Sequence, residues 1–192
     1  ALSSAASDVY KRQVVAFMIF IDTSGAAVLS LIACILHEGG HLLAMAVCGA
    51  NPERITFYGG GIALSKSGMD SLTDAKRLVI LCAGCSVNLL VAAACFATQG
   101  NDTAAVFGAV NLIICIFNTL PIGYFDGAEV LELLLTGFVS LRTAEKVKKI
   151  VGTALALIIT AGVIVYCVMC GESVSLSLFF VVLFLIQAQL VS

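Results

Sequence analysis

Two histidines four residues apart, His37 and His41, share one face of any helix that carries them. Stacked a turn apart, both imidazoles can reach a single ion. Glu38, one residue round from that face, can touch a water on the ion without binding the ion itself, which is the mechanical content of the pattern His37-Glu38-Gly39-Gly40-His41. The chemistry such a set supports is metal-assisted hydrolysis with Glu38 as general base. A catalytic zinc takes three protein ligands and keeps one position for water. The chain has only 2 histidines, so the third ligand must be a carboxylate or a cysteine. Asp126 stands out, in the segment Phe117-Asn118-Thr119-Leu120-Pro121-Ile122-Gly123-Tyr124-Phe125-Asp126-Gly127, where Pro and Gly interrupt an apolar run. Glu129 is an alternative, without the Pro and Gly setting that would aim it. The rival reading of the same residues is a polar path in which His and Glu share protons, as in a metal or proton transporter.

The elements that position these groups lie in a bilayer. Of 192 residues, 60% are hydrophobic and only 11% charged, with mean hydropathy +1.09. A soluble globule has about half apolar and a quarter charged. Each ionisable side chain near the bilayer centre costs roughly 2.5–3.5 kcal/mol on insertion scales, so three in one turn need a compensating partner such as a divalent cation. With a net charge of −2, nothing basic offers a surface for nucleic acid. The 8 cysteines sit almost entirely in apolar runs and read as small apolar residues, not as a disulfide framework. The pairs Cys82/Cys85 and Cys167/Cys170 have zinc half-site spacing, but the layout below sends them towards opposite membrane faces.

Residues 1–13 are polar and small and resemble a non-native or disordered leader, with Val14–Ile21 then a remnant of a first helix. Residues 14–192 form a single membrane-embedded domain with its catalytic core at about 24–140. Ser24–Gly49 is a full span ending at Gly49 and Pro52. Ile55–Leu64 places β-branched and aromatic residues around Gly59-Gly60-Gly61, a short hairpin or extended edge. Leu78–Thr98 and Ala104–Leu120 are spans, the latter breaking at Pro121 and resuming towards Phe138. Ile150–Cys170 and Val174–Val191 close the chain, within 150–191. The fold class is an all-α polytopic membrane protein of about five to six transmembrane helices. Arg54, Lys66, Lys76, Arg77, Arg142, Lys146, Lys148 and Lys149 all fall on one side, which the positive-inside rule makes cytoplasmic. The opposite loops carry Asp22, Asp102 and Glu172. The histidines then lie nearer the cytoplasmic end of their helix.

Three elements in order resemble the site-2 protease family of intramembrane zinc metalloproteases, especially its short bacterial members that process a sporulation sigma factor. They are His37-Glu38-Gly39-Gly40-His41, then Gly84-Cys85-Ser86-Val87-Asn88, similar to G-x-x-x-N, then Asn118, Pro121, Asp126 and Gly127, similar to the N-P-D-G segment. The resemblance covers about residues 14–140 well and the last two spans by count. It implies one Zn2+ held by His37, His41 and Asp126, with Glu38 as catalytic base, and hydrolysis of a peptide bond within or next to a transmembrane segment of a membrane protein substrate. Substrate would be held by Asn118, with Asn88 lining the core, and by the stretch Tyr58, Gly59, Gly60 and Gly61, similar to the family's membrane-associated loop. The implied setting is a bacterial cytoplasmic membrane, with lipid and a membrane protein substrate as partners. Cys85 replaces a frequent Pro, and Tyr124–Ala128 lacks a frequent Pro and second Gly. A catalytically inactive relative is the remaining alternative.

Overall fold

The computed structural model describes residues 25–50, 55–58, 61–64, 72–98, 100–123 and 125–170. The expected leader, the first-helix remnant at 14–21, the hairpin turn Gly59–Gly60 and the last span at 174–191 lie outside them. Helices α1 (Ala26–Cys48), α2 (Asp74–Ala97), α3 (Asp102–Thr119), α4 (Asp126–Thr136) and α5 (Leu141–Cys170) are joined by strands β1 (Ile55–Tyr58) and β2 (Gly61–Leu64). Among the described residues, α1, α2, α3 and residues Leu141–Tyr166 of α5 are long and apolar enough to cross a membrane. The chain is an integral membrane protein.

Its surface has the polarity of a bilayer solute. Val47 is 80% and Leu90 70% exposed, whereas His37 is 4% and His41 7% exposed. Large apolar side chains face outwards and the polar motif faces inwards, the reverse of a water-soluble helix pair.

The chain forms two compact units, residues 1–116 and 117–192. In the first, α1 packs mainly on α2. The buried residues of α1, Ala33, His37, Gly40, His41 and Met45, form one stripe at helical spacing. Those of α2, Ile80, Leu81, Gly84, Asn88 and Ala92, form another. Gly49, at φ 79°, ends α1, and the amide of Ala50 donates to the Met45 carbonyl at 2.9 Å, a glycine-terminated helix end where the sequence places it. Lys76 Nζ donates to the carbonyl of Cys48 at 3.0 Å, setting a cation against the negative end of the motif helix. The hairpin pairs antiparallel, from Ile55 opposite Leu64 to Tyr58 opposite Gly61, and β2 runs beside α1. Asn101 starts α3 by accepting from the Ala104 amide at 3.0 Å, a side-chain N-cap.

In the second unit, Ile122, Phe125 and Ala156 form a core with Phe117, Leu120, Leu155 and Ile159 around it, and α4 packs on α5. Helix α5 begins at Leu141, nine residues before the expected span at Ile150. The charged stretch Arg142–Lys149 is therefore helical: no Gly or Pro interrupts it, and Lys, Glu and Arg propagate a helix well.

Candidate metal centre

The two motif histidines meet at their Nε2 atoms, 3.2 Å apart, with the rings edge to face at 83°. Their outer nitrogens are held. His41 Nδ1 lies 2.7 Å from the carbonyl oxygen of Ile80, and His37 Nδ1 lies 2.8 Å from Asn88 Oδ1. Both partners accept, so both Nδ1 atoms donate and each ring is left to use Nε2. Two Nε2 atoms pointed at each other at 3.2 Å need a proton or a cation between them. Imidazoles that bind metals are oriented in this way, the far nitrogen donating to a carbonyl or carboxamide.

Gly84 makes this arrangement possible. A Cβ at that position would lie 2.7 Å from His37 Cε1 and 2.8 Å from His37 Nε2, and closer still to His41 Nε2. Any side chain there would occupy the place the ring nitrogens share. The four-residue step from Gly84 to Asn88 then has a physical meaning: one turn of α2 clears room for the imidazoles and the next supplies a hydrogen-bond acceptor. The two motif glycines also separate. A Cβ on Gly40 would come within 2.9 Å of the Ala83 carbonyl and Val87 Cγ2, while one on Gly39 would meet nothing within 4 Å. Gly40 is the residue that lets α1 and α2 approach closely. Glu38, next to His37, is half-buried.

In the second unit, Asp126 opens α4, and Glu129 shares its first turn. After Pro121 the chain turns through hydrogen bonds from Ile122 N to Leu120 O at 2.8 Å and from Phe125 N to Ile122 O at 3.1 Å. Ile122 and Phe125 are anchored in the core on either side of this turn. A Cβ on Gly127 would sit 2.8 Å from the Leu120 carbonyl carbon, and closer to Thr119 O, so only glycine lets the start of α4 fold back on the end of α3. The break, the anchors and the glycine together fix the backbone at Asp126, and the positive end of the helix favours a carboxylate there. Glu129 has a cation of its own: Lys148 Nζ lies 3.7 Å from its carboxylate and pairs also with Glu132.

Among the described residues, His37 and His41 of the first unit and Asp126 of the second carry side chains able to ligate a metal ion. The donor set of two imidazoles and a carboxylate suits zinc in a catalytic site. Of the residues expected to hold substrate, Asn118 is half-buried near the end of α3. Tyr58 and Gly61 form the closing pair of the hairpin, and Gly59 and Gly60 lie outside the described residues. Asn88 is fully buried, and its amide is spent on His37, on the Ala33 carbonyl at 3.3 Å and on Asn111 Oδ1 at 3.0 Å. Asn111, fully buried on α3, was not legible as part of a site, because a lone Asn in an apolar run carries no motif.

No known family model and no curated protein matches the sequence. Among solved structures, the chain is similar to the Site-2 Protease from Methanocaldococcus jannaschii, with a TM-score of 0.69 at 20% identity, over 96% of this chain and 86% of that one. The fold is that of a site-2 protease.

Proposed function

We propose that the chain is an intramembrane zinc metalloprotease of the site-2 protease family, cleaving a peptide bond within or beside a transmembrane segment of a membrane protein. The observation that carries the reading is the pair of Nε2 atoms at 3.2 Å, each on a ring whose other nitrogen is held by an acceptor. The site-2 protease fold supports it, and Asp126, at the start of α4, would supply the third ligand.

In this reading His37, His41 and Asp126 hold one zinc ion, which when bound makes water more acidic and polarises a carbonyl. Glu38 accepts the proton of the attacking water and returns it to the leaving amine, acting first as base and then as acid. Peptide groups within a helix are already hydrogen-bonded, so the substrate must be unwound locally before attack. The β1–β2 hairpin, with Tyr58 and Gly61 at its closing pair, would hold the unwound stretch by strand addition through its Tyr58–Gly61 end, and Asn118 would hold substrate near the ion. The excess of Lys and Arg on one side supports a site nearer the cytoplasmic side of the membrane.

The test is zinc content and turnover of a co-expressed membrane substrate. Glu38→Gln should keep zinc and lose cleavage; Asp126→Ala should lose zinc. Cleavage by Glu38→Gln, or an unchanged zinc content in Asp126→Ala, overturns the corresponding role. Ion conduction in proteoliposomes that survives Glu38→Gln would favour a transporter instead.

A further inference from the structure

Asn111 sits mid-way along an apolar spanning helix, is 0% exposed, and has no part in the reading above. A buried carboxamide there needs a reason. Its hydrogen bonds run in one direction. Asn111 Nδ2 donates to the Phe107 carbonyl at 2.9 Å, and because a carbonyl only accepts, the Oδ1 of Asn111 is the atom turned to Asn88. Asn88 must then present its Nδ2, at 3.0 Å, and the same amino group reaches the Ala33 carbonyl at 3.3 Å. That leaves Asn88 Oδ1 facing His37 Nδ1 at 2.8 Å, so His37 donates from Nδ1. A polarity set at a backbone carbonyl of α3 is thus passed through two amides to an imidazole on α1. His41 needs no such relay, since its Nδ1 faces the Ile80 carbonyl directly.

We propose that Asn111 is a positioning residue for the metal centre: acting through Asn88, it holds His37 in the tautomer that leaves Nε2 available to the ion. The proposal rests on the reading of His37 as a metal ligand. Without the Asn111 acceptor, Asn88 keeps only its 3.3 Å contact with Ala33 to orient it, and its amide can turn over. The Asn88 amino group would then meet His37 Nδ1, the ring would accept there, and its hydrogen would move to Nε2, where it blocks the ligand position.

The chain's 2 histidines make this directly readable by nitrogen-15 NMR of histidine-labelled, metal-free protein in detergent, in buffer well above the ordinary imidazole range. Wild type should show both rings protonated at Nδ1. Asn111→Leu, an apolar residue suited to a spanning helix, should show His37 shifted towards the Nε2-protonated form and His41 unchanged. Its zinc affinity, measured by chelator competition, should fall about 10-fold, within the range for removal of an outer-shell partner. Asn111→Asp, which keeps an acceptor towards Asn88, should bind zinc near wild type. Wild-type His37 with Nδ1 unprotonated overturns the proposal, and this spectrum decides the matter if Asn111→Leu does not fold. A folded Asn111→Leu with wild-type zinc affinity overturns the positioning role alone. A wild-type protein that binds no zinc overturns the metal reading and the role of Asn111 with it.

Discussion

The polar groups of α1 and α2 and those of α4 and α5 solve the same problem in opposite ways. On α4 and α5, Glu129 and Glu132 both meet Lys148, so each carboxylate has a cation within the protein. They border a cavity shared with Glu145, Lys146 and Lys149. On α1 and α2, the outer nitrogens of two imidazoles donate to a neutral amide and a backbone carbonyl, and their inner nitrogens point at each other. The first cluster carries its own cation and is complete. The second, in the proposed reading, would take one from outside the chain. Glu129, chemically as good a ligand as Asp126, meets Lys148.

The comparison can be broken most sharply at Glu38. Glu38→Gln should lower turnover by roughly 10²–10⁴-fold, the usual contribution of a general acid–base group, with zinc content by elemental analysis unchanged; Glu132→Gln should alter neither. Gly84→Ala is the next largest effect. It pushes a methyl group between the ring nitrogens, and zinc affinity by chelator competition should fall by at least about 10-fold, as when metal-ligand support is lost. A Gly84→Ala protein with wild-type affinity would mean that the facing Nε2 atoms are not the ligand pair.

The two motif glycines sharpen the packing side of the contrast. Gly40→Ala should destabilise the protein by about 1–3 kcal/mol in detergent unfolding, an overpacking cost. Gly39→Ala should be neutral or gain up to about 1 kcal/mol of helix propensity. Equal effects would show that α1 and α2 are not in close contact at Gly40. The smallest expected effect is at the cluster around Lys148. Lys148→Met should cost about 1 kcal/mol or less, as for partly exposed ion pairs, and leave zinc content untouched.

Much of this was legible in the order of residues. Helices α1, α2 and α3 fall where apolar runs of spanning length are bounded by Gly49, Thr98 and Pro121, because each must satisfy its own backbone in lipid. The hairpin follows from β-branched and aromatic residues around a Gly triplet. The start of α5 was harder to place, since a charged stretch beside a spanning run reads as a loop by hydropathy although its residues favour helix. Asn111 carried no signal at all, and Asn88 only the signal of a motif whose purpose the motif does not state.

The sequence by itself determined that the chain belongs in a membrane, that His37 and His41 share a helix face, and that Glu38 adjoins them, because these follow from composition and a local period of 3.6 residues. Only the tertiary structure decided which nitrogen each imidazole presents, why position 84 has no side chain, and that Glu129 answers to Lys148. Those depend on atoms far apart in the chain brought within hydrogen-bonding distance. Hydrogen bonds have direction, and their polarity at His37 is set by a carbonyl on α3 that no pattern around residue 37 contains.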